Sequence, residues 1–515
     1  MRKNMDYHSA RWDEPFIMQL GTPGERGILL PAVEEAIREE TGDILASIPD
    51  SLQRKTRPEL PEISQPRVVR HFLRLSQMTM GLDLTPDVSQ GTCTMKYSPK
   101  VNESFCRSPK MTSTHPYQDE DTVQGTLELI YKLKNLLCEI SGMDDFSFQP
   151  GGGSQAIYTN ACVIRAYHAA NGQAEQRNEI ITTAFSHPVD AAAPHTAGFK
   201  VIQLLPEKEG YPSVEALKSA LSERTAGLMI TNPEDTGIFN PHIQEFVDLV
   251  HEAGGLCAYD QANANGILGI ARARDAGFDM CHFNLHKTFS SPHGCIGPGC
   301  GAVGVKEELA RFLPLPAVTF DGERYHIDYN CPESIGKVRG FLGNIQVVLR
   351  AYAWIMSLGA DGLKRVAEIA VLNNNYLTKH IAAIKGVVMP YPDSGNRLEQ
   401  TRFSWEKLKE DTGVNTEDVR RRIVDYGLQS YHTSHYPIII PDPFTLEPSE
   451  TFSKEDLDLY VDVFTKVSQE AYEDPNLVKT APHRSSIEQV DVSVCDNPET
   501  WAMTWRAFKR KQQKG

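Results

Sequence analysis

Positive charge is scarce in this chain. Lys and Arg number 52 against 67 Asp and Glu in 515 residues, a formal net charge of −15. Such a surface repels phosphate backbones, so nucleic acid is not an expected partner. Long hydrophobic runs are missing as well. No window approaches the ~18 uninterrupted apolar residues of a membrane span, and no membrane association is expected. The opening residues MRKNMDYHSARWDEP hold no apolar segment of a secretory leader, so a cytoplasmic location is expected. None of the ten cysteines forms a CxxC pair, which argues against a zinc ribbon or a dithiol centre and for reduced thiols. Cys93 and Cys295 sit where a reactive thiol is conceivable, but small buried hydrophobes are the commoner role. No metal site is expected. Internal repeats and low-complexity segments are absent.

What is present is a texture that changes along the chain. The length exceeds one compact core, so two or three domains are expected. Residues 1–114 mix Pro-rich connectors such as RPELPEISQP with one amphipathic pattern, VVRHFLRLSQMTMGL, and read as an N-terminal arm. Residues 115–345 alternate helical patterns with short apolar runs: EIITTA (179–184), FKVIQLL (199–205), AGLMITN (226–232), GLCAYD (255–260), MCHFNL (280–285) and AVGV (302–305). That alternation predicts a large α/β domain with a mainly parallel sheet. In TVQGTLELIYKLKNLLCEISGM, Val123, Leu127, Ile130, Leu133, Leu137 and Ile140 keep helical spacing, and Gly142 suits the stop. NPHIQEFVDLVHEAGG reads as a helix capped by Asn240 with Pro241 in its first turn. Residues 346–515 read as a small α+β C-terminal domain, with a strand at YPIIIP.

One lysine stands out. Lys287 closes the run MCHFNL, between His286 and Thr288, and a Gly/Pro loop follows it. A lone loop lysine is usually a solvated surface group. This one falls at the C-terminal edge of a predicted strand, where open α/β sheets bind ligands. An amine held there suits a Schiff base, and the aldehyde most used for that purpose is pyridoxal 5′-phosphate. That cofactor asks for three further groups. Asp260, at the end of GLCAYD, offers a carboxylate for the ring nitrogen, and Ala262 is small enough to pack beneath the ring. His187, after EIITTA, can stack on the ring. The turn Gly151–Gly153, followed by Ser154 and Gln155 opening a helix, forms a phosphate cradle. No Walker lysine continues that turn, which disfavours nucleotides. Each feature alone has a bland reading: a turn aspartate, a loop histidine, a Gly-rich turn. Their order along the chain is that of fold-type I pyridoxal-phosphate enzymes.

Several segments resemble one family: RPELPEISQPRVVRHFLRLSQ, GTCTMKYSPKVNE, HPYQDEDTVQGTLELIYKL, FNLHKTFSSPHG and EPSETFSKEDLD. They are similar to subunit 2 of the two-subunit glycine dehydrogenase (decarboxylating), the P-protein of the glycine cleavage system. The resemblance covers nearly the whole chain. It implies an aspartate-aminotransferase-like fold-type I enzyme with Lys287, His187 and Asp260 as catalytic residues. It adds Gly153, Ser154, Gln155, Asn284 and His286 around the phosphate, Thr231 at the ring hydroxyl, and Thr94 and Lys96 reaching from the arm. Arg397 or Arg402 could hold a substrate carboxylate.

The chain also departs from that family. GCIGPGC brings Cys295 and Ile296 into a glycine loop, and Ile157 replaces an acidic residue after the phosphate turn. PVDAAAPH lacks a Gly-Thr-Asn, Gln261 replaces a glycine, and Gln400 and Thr401 stand where a His-Glu pair belongs. These changes gather where substrate would sit. They lead to the expectation of a diverged paralogue: a homodimer acting alone on an α-amino acid, through an external aldimine and a quinonoid carbanion, toward decarboxylation, β/γ-replacement or C–C bond formation in a biosynthetic pathway. The alternative is a genuine glycine dehydrogenase subunit 2, working with a second subunit and a lipoyl carrier protein. An inactive scaffold is disfavoured by the intact Lys287, Asp260 and His187.

Overall fold

The computed structural model describes residues 7–81, 86–88, 96–292, 299–430, 432–435 and 439–513. Packing groups the described residues into two compact units, one within 82–479 and one of residues 7–81 with 480–513. Of the expected arm, 1–114, the part 7–81 groups with the C-terminal tail, and residues 96–114 belong to the larger unit. The expected large and small domains share one unit, within which each keeps its own core.

The larger unit is built on a seven-stranded sheet: β1 (Asp145–Ser147), β2 (Glu179–Thr183), β3 (Lys200–Leu204), β4 (Thr225–Thr231), β5 (Leu256–Gln261), β6 (Met280–Asn284) and β7 (Gly301–Val305), in the order β1-β7-β6-β5-β4-β2-β3. Neighbours from β6 through β3 run parallel, and β7 is antiparallel to both β6 and β1. All six expected runs are strands. Strands β2, β5 and β6 are buried along their whole length, which explains why they read as continuous apolar runs rather than alternating ones. The helix Gln124–Ser141 buries Leu127, Ile130, Leu133 and Leu137 in the core cluster of one face. It stops at Gly142, whose φ of 77° is open to glycine and costly for other residues. The helix Gly153–Ala170 buries Ala156, Ile157, Ala161 and Ile164 in another cluster.

Two elements differ from expectation. The helix expected from Asn240 begins at Ile243. Asn240 forms the turn ahead of it, its Oδ1 accepting from the His242 N–H at 2.9 Å. YPIIIP is not a strand where it is described. Residues 436–438 lie outside the described part, and the strand forms two residues further on. That strand, β11 (Pro443–Leu446), pairs antiparallel with β10 (Thr401–Ser404), whereas β8 (Ala317–Phe320) and β9 (Tyr325–Asp328) form a separate hairpin. Apolarity alone does not distinguish III from PFTL; the pairing of Phe403 with Phe444 does.

Ile345–Ile381 comprises two helices joined across a kink at Gly359 and leads into the small core. That core holds Phe403, Trp405, Phe444, Tyr460 and Phe464, all fully buried. Its helices are fixed by reciprocal caps, Asn415 with Asp418 and Ser453 with Asp456. In the second unit, the helix Gln65–Gln77 presents His71 and Arg74 to the buried Glu14 carboxylate at 2.7 and 2.6 Å. The Phe16 and Phe508 rings meet edge-on there at 5.3 Å. No helix among the described residues is long and apolar enough to cross a membrane, and the described cysteines are free.

Candidate active site

Parallel strands bring their C-terminal ends to one edge, and the residues there converge. Thr231 ends β4, Asp260 lies one residue before the end of β5, Asn284 ends β6, and Lys287 follows in the next turn. His187 comes from the turn after β2. A cleft is lined by His187, Thr231, Asp235, Asp260, Ala262, Asn263, Lys287, Glu399, Gln400, His435 and Glu447. The predicted lysine, aspartate, histidine, threonine and alanine therefore share one site.

Asp260 is held in place from two sides. Its Oδ1 accepts from the Ala262 N–H at 2.8 Å and lies 3.2 Å from His282 Nε2. Its Oδ2 is buried and takes no amide or hydroxyl donor among the described residues. Burial, reinforced by the charge of the Asp260 carboxylate and a side-chain hydrogen bond to it, raises Asp190 well above the usual carboxyl range, so Asp190 brings a hydrogen-bond donor to Asp260 and no second charge. The Thr231 hydroxyl is likewise buried without a partner among the described residues. Burial pulls His187 down to about 3, leaving its ring neutral at ordinary pH.

The glycine turn sits directly against the end of β6. A Cβ on Gly153 would come within 2.7 Å of Asn284 Nδ2, so only glycine lets the helix start approach that side chain. The first-turn N–H groups of Gly153, Ser154 and Gln155 have no acceptor inside the helix. The Gln155 side chain is occupied in shaping the turn: its Oε1 accepts from the Gly151 N–H at 2.8 Å, and its Nε2 donates to the Val338 carbonyl. His286 packs behind, its Nδ1 accepting from the Cys300 N–H at 3.1 Å. These features fit pyridoxal phosphate. A buried carboxylate stands at a strand end where a ring nitrogen needs one, a hydroxyl is left over for the 3-oxygen, and a helix that opens on glycine offers its first N–H groups to a phosphate.

Other expected residues lie elsewhere. Lys96 is buried in its own chain, donating to the carbonyl of Thr288 at 2.8 Å and to Glu450 at 3.0 Å, with Trp354 beneath its ammonium. It braces the residue next to Lys287 and is not on the cleft wall. Arg397 donates to the carbonyls of Pro390 and Tyr391 at 2.7 and 3.1 Å. Arg402 pairs with Asp235 at 3.2 Å and covers the Phe185 ring. Neither arginine lines the cleft. Thr94, Cys93, Cys295 and Ile296 fall outside the described residues.

The structure adds groups that the sequence did not reveal. Glu399 lines the cleft, and burial raises it to about 8. Asp235 takes His435 Nδ1 at 2.7 Å. Glu447 accepts from the Asn263 amide. A signal existed for Asp235, which follows Asn232 and Pro233 immediately after a strand. For Glu399 and His435 there was none, because only tertiary packing brings those segments to the sheet edge. Of the departures from the family, Ile157 is simply core, and Gln400 stands on the cleft wall beside Glu399. The cleft is therefore not short of polar groups.

Comparison with known proteins agrees with this fold. The profile described as "Aminotransferase class-V" matches residues 151–402, and "Glycine dehydrogenase, C-terminal domain" matches residues 366–483. The chain is 46% identical to "Probable glycine dehydrogenase (decarboxylating) subunit 2" of Pyrococcus furiosus, covering 99% of both chains. It is 45% identical to the protein of the same name from Pyrococcus horikoshii, again over 99% of each. Among solved structures it is similar in fold to a glycine decarboxylase (P-protein) of the glycine cleavage system in inhibitor-bound form. There the TM-score is 0.69 and the identity 19%, over 85% of this chain and 99% of that one. End-to-end identity of this kind favours the subunit over a paralogue with altered chemistry. The strand-edge lysine site, the class-V aminotransferase match and the full-length identity lead to one conclusion: the chain belongs to the glycine dehydrogenase (decarboxylating) subunit 2 family of pyridoxal-phosphate-dependent enzymes.

Proposed function

We propose that this chain is the cofactor-binding subunit of a two-subunit glycine dehydrogenase (decarboxylating), which acts on glycine beside a second subunit and passes an aminomethyl group to a lipoyl carrier protein. The observation that carries this reading is the end-to-end identity to proteins named glycine dehydrogenase (decarboxylating) subunit 2, joined to a strand-edge site that holds a lysine. Glu399, Gln400, His435 and Glu447 line the same cleft as Lys287 and Asp260.

When bound, pyridoxal phosphate supplies an electron-withdrawing ring that accepts the electron pair left as the substrate loses its carboxylate. Lys287 Nζ is the amine that anchors it. Asp260 Oδ2 would keep a proton at the ring nitrogen, and Thr231 Oγ1 would face the ring hydroxyl. His187 would stack on the ring as a neutral imidazole, opposite the small Ala262. Gly153, Ser154 and Asn284 would receive the phosphate, with Gln155 and His286 shaping the turn and loop around it. Glu399, raised to about 8, is a neutral acid at pH 7, so it does not repel an incoming carboxylate.

A titration of the loaded protein with a panel of amino acids, followed by visible absorbance, tests the reading. Glycine is expected to perturb the cofactor band, and leucine and phenylalanine are expected to leave it unchanged. A band that answers to a larger amino acid and ignores glycine would restore the changed-substrate reading.

A further inference from the structure

We propose that His435 is a further acid–base residue of this cleft, which takes a proton from the ammonium group of the incoming α-amino acid. The proposal rests on the reading of the cleft as an amino-acid site. His435 follows the helix Thr416–Ile423 in the small domain and lines the cleft opposite the strand ends. Its Nδ1 lies 2.7 Å from Asp235 Oδ2, and Arg402 donates to the same oxygen at 3.2 Å. Burial alone would push Asp235 upward. The hydrogen bond from His435 and the Arg402 guanidinium outweigh it and hold the carboxyl well below its usual range. An ionised carboxylate only accepts, so Nδ1 carries the hydrogen of that contact, and Nε2 is the ring position left to take a proton. The side chain is 10% exposed, and Nε2 is buried with no hydrogen-bond partner among the described residues.

Neighbouring groups leave that role open to His435. The His187 ring meets it edge-on at 4.7 Å, and the His432 ring lies 5.0 Å away. Burial pulls His187 down to about 3 and His432 to about 4, so neither holds a proton near neutrality. Glu399, raised to about 8, is already protonated at neutral pH and cannot accept. Lys287 on the same wall is the anchoring amine, Asp260 serves the ring nitrogen, and Glu447 accepts from the Asn263 amide.

The step is a single proton transfer. An α-amino acid arrives as an ammonium, whose nitrogen has no free electron pair. One N–H bond breaks, its electron pair stays on the substrate nitrogen, and the proton closes on Nε2. Asp235 balances the resulting imidazolium, so no charge is stranded in the cleft.

The test uses the full chain loaded with pyridoxal phosphate. It is mixed with glycine or, if glycine is silent, with whichever α-amino acid perturbs the visible band. That choice separates failure of the glycine reading from failure of this one. His435→Asn keeps an N–H donor where Nδ1 stood, so Asp235 stays paired, and it removes the base. The second-order rate constant of the spectral change is expected to fall about 100-fold near pH 7. It should recover at alkaline pH, where solution supplies free amine. Calorimetry in buffers of different ionisation enthalpy should show the variant releasing one proton more to the buffer per amino acid bound. An unchanged pH profile or proton count overturns the proposal. A second measurement needs no variant. In the wild-type protein with ¹⁵N-labelled histidines, His435 is expected as the Nδ1–H tautomer, and its Nε2 signal should shift when the amino acid binds. A hydrogen found on Nε2 before binding overturns the proposal.

Discussion

Single residues set the electrostatics of this cleft, and burial is the main force acting on them. Glu399 is raised from 4.5 to about 8 by burial, and so is Glu234. Between those values the native state holds protons that the unfolded chain has lost, so these groups make stability fall as pH rises from about 4.5 to about 8 and level off above. His187 works in the opposite direction. It is lowered from 6.5 to about 3, so the unfolded chain takes up a proton first, and stability falls as pH drops through that window. Glu399→Gln is therefore expected to melt with the wild type at pH 5 and to be more stable by ~1 kcal/mol or more at pH 8.5, measured by thermal unfolding. Lys287→Ala is expected to abolish the borohydride-reducible adduct, and mass spectrometry of the reduced protein checks it; an adduct persisting on another lysine would unseat Lys287. Lys287, Asp260, His187 and the glycine turn were legible because each closes an apolar run or opens a helix. Glu399 and His435 were not. Their neighbours in sequence say nothing of the sheet edge at Lys287, 112 and 148 residues back along the chain, that packing places before them.

At the scale of elements, the site depends on how closely strands and helix starts approach. Strands β2, β5 and β6 could be read from sequence because buried parallel strands are apolar throughout, and β7, antiparallel to its neighbours, is just as buried. The strand at Pro443–Leu446 could not, because its neighbour IIIP is equally apolar and only pairing with Thr401–Ser404 decides between them. Glycines mark where elements touch. A Cβ on Gly304 would collide with the Phe146 ring where β1 pairs with β7. Gly304→Ala is expected to cost ~1–3 kcal/mol in denaturant unfolding, as overpacking does. Gly125 is the contrasting case: it lies in the first turn of Gln124–Ser141, and a Cβ added there would meet no heavy atom within 4 Å. Gly125→Ala is expected to be neutral or to stabilise by up to ~1 kcal/mol in the same experiment. Equal losses at both positions would show that backbone freedom, not contact, governs these sites.

At the scale of the whole molecule, the smaller unit carries exposed apolar side chains, Ile28, Leu29, Leu30 and Leu60 among them, and the cleft lies entirely within the larger one. A chain with the site groups assembled but a family made of two kinds of subunit is expected to bind cofactor alone and to complete its reaction only with its counterpart. The direct measurement is exchange of labelled bicarbonate into the glycine carboxyl by the pyridoxal-phosphate-loaded protein, with and without a subunit 1 and a lipoyl carrier protein. The account expects little exchange from the chain alone and a large rise when both partners are added. A homodimer that turns over another amino acid unaided, with no glycine exchange under any combination, would contradict it.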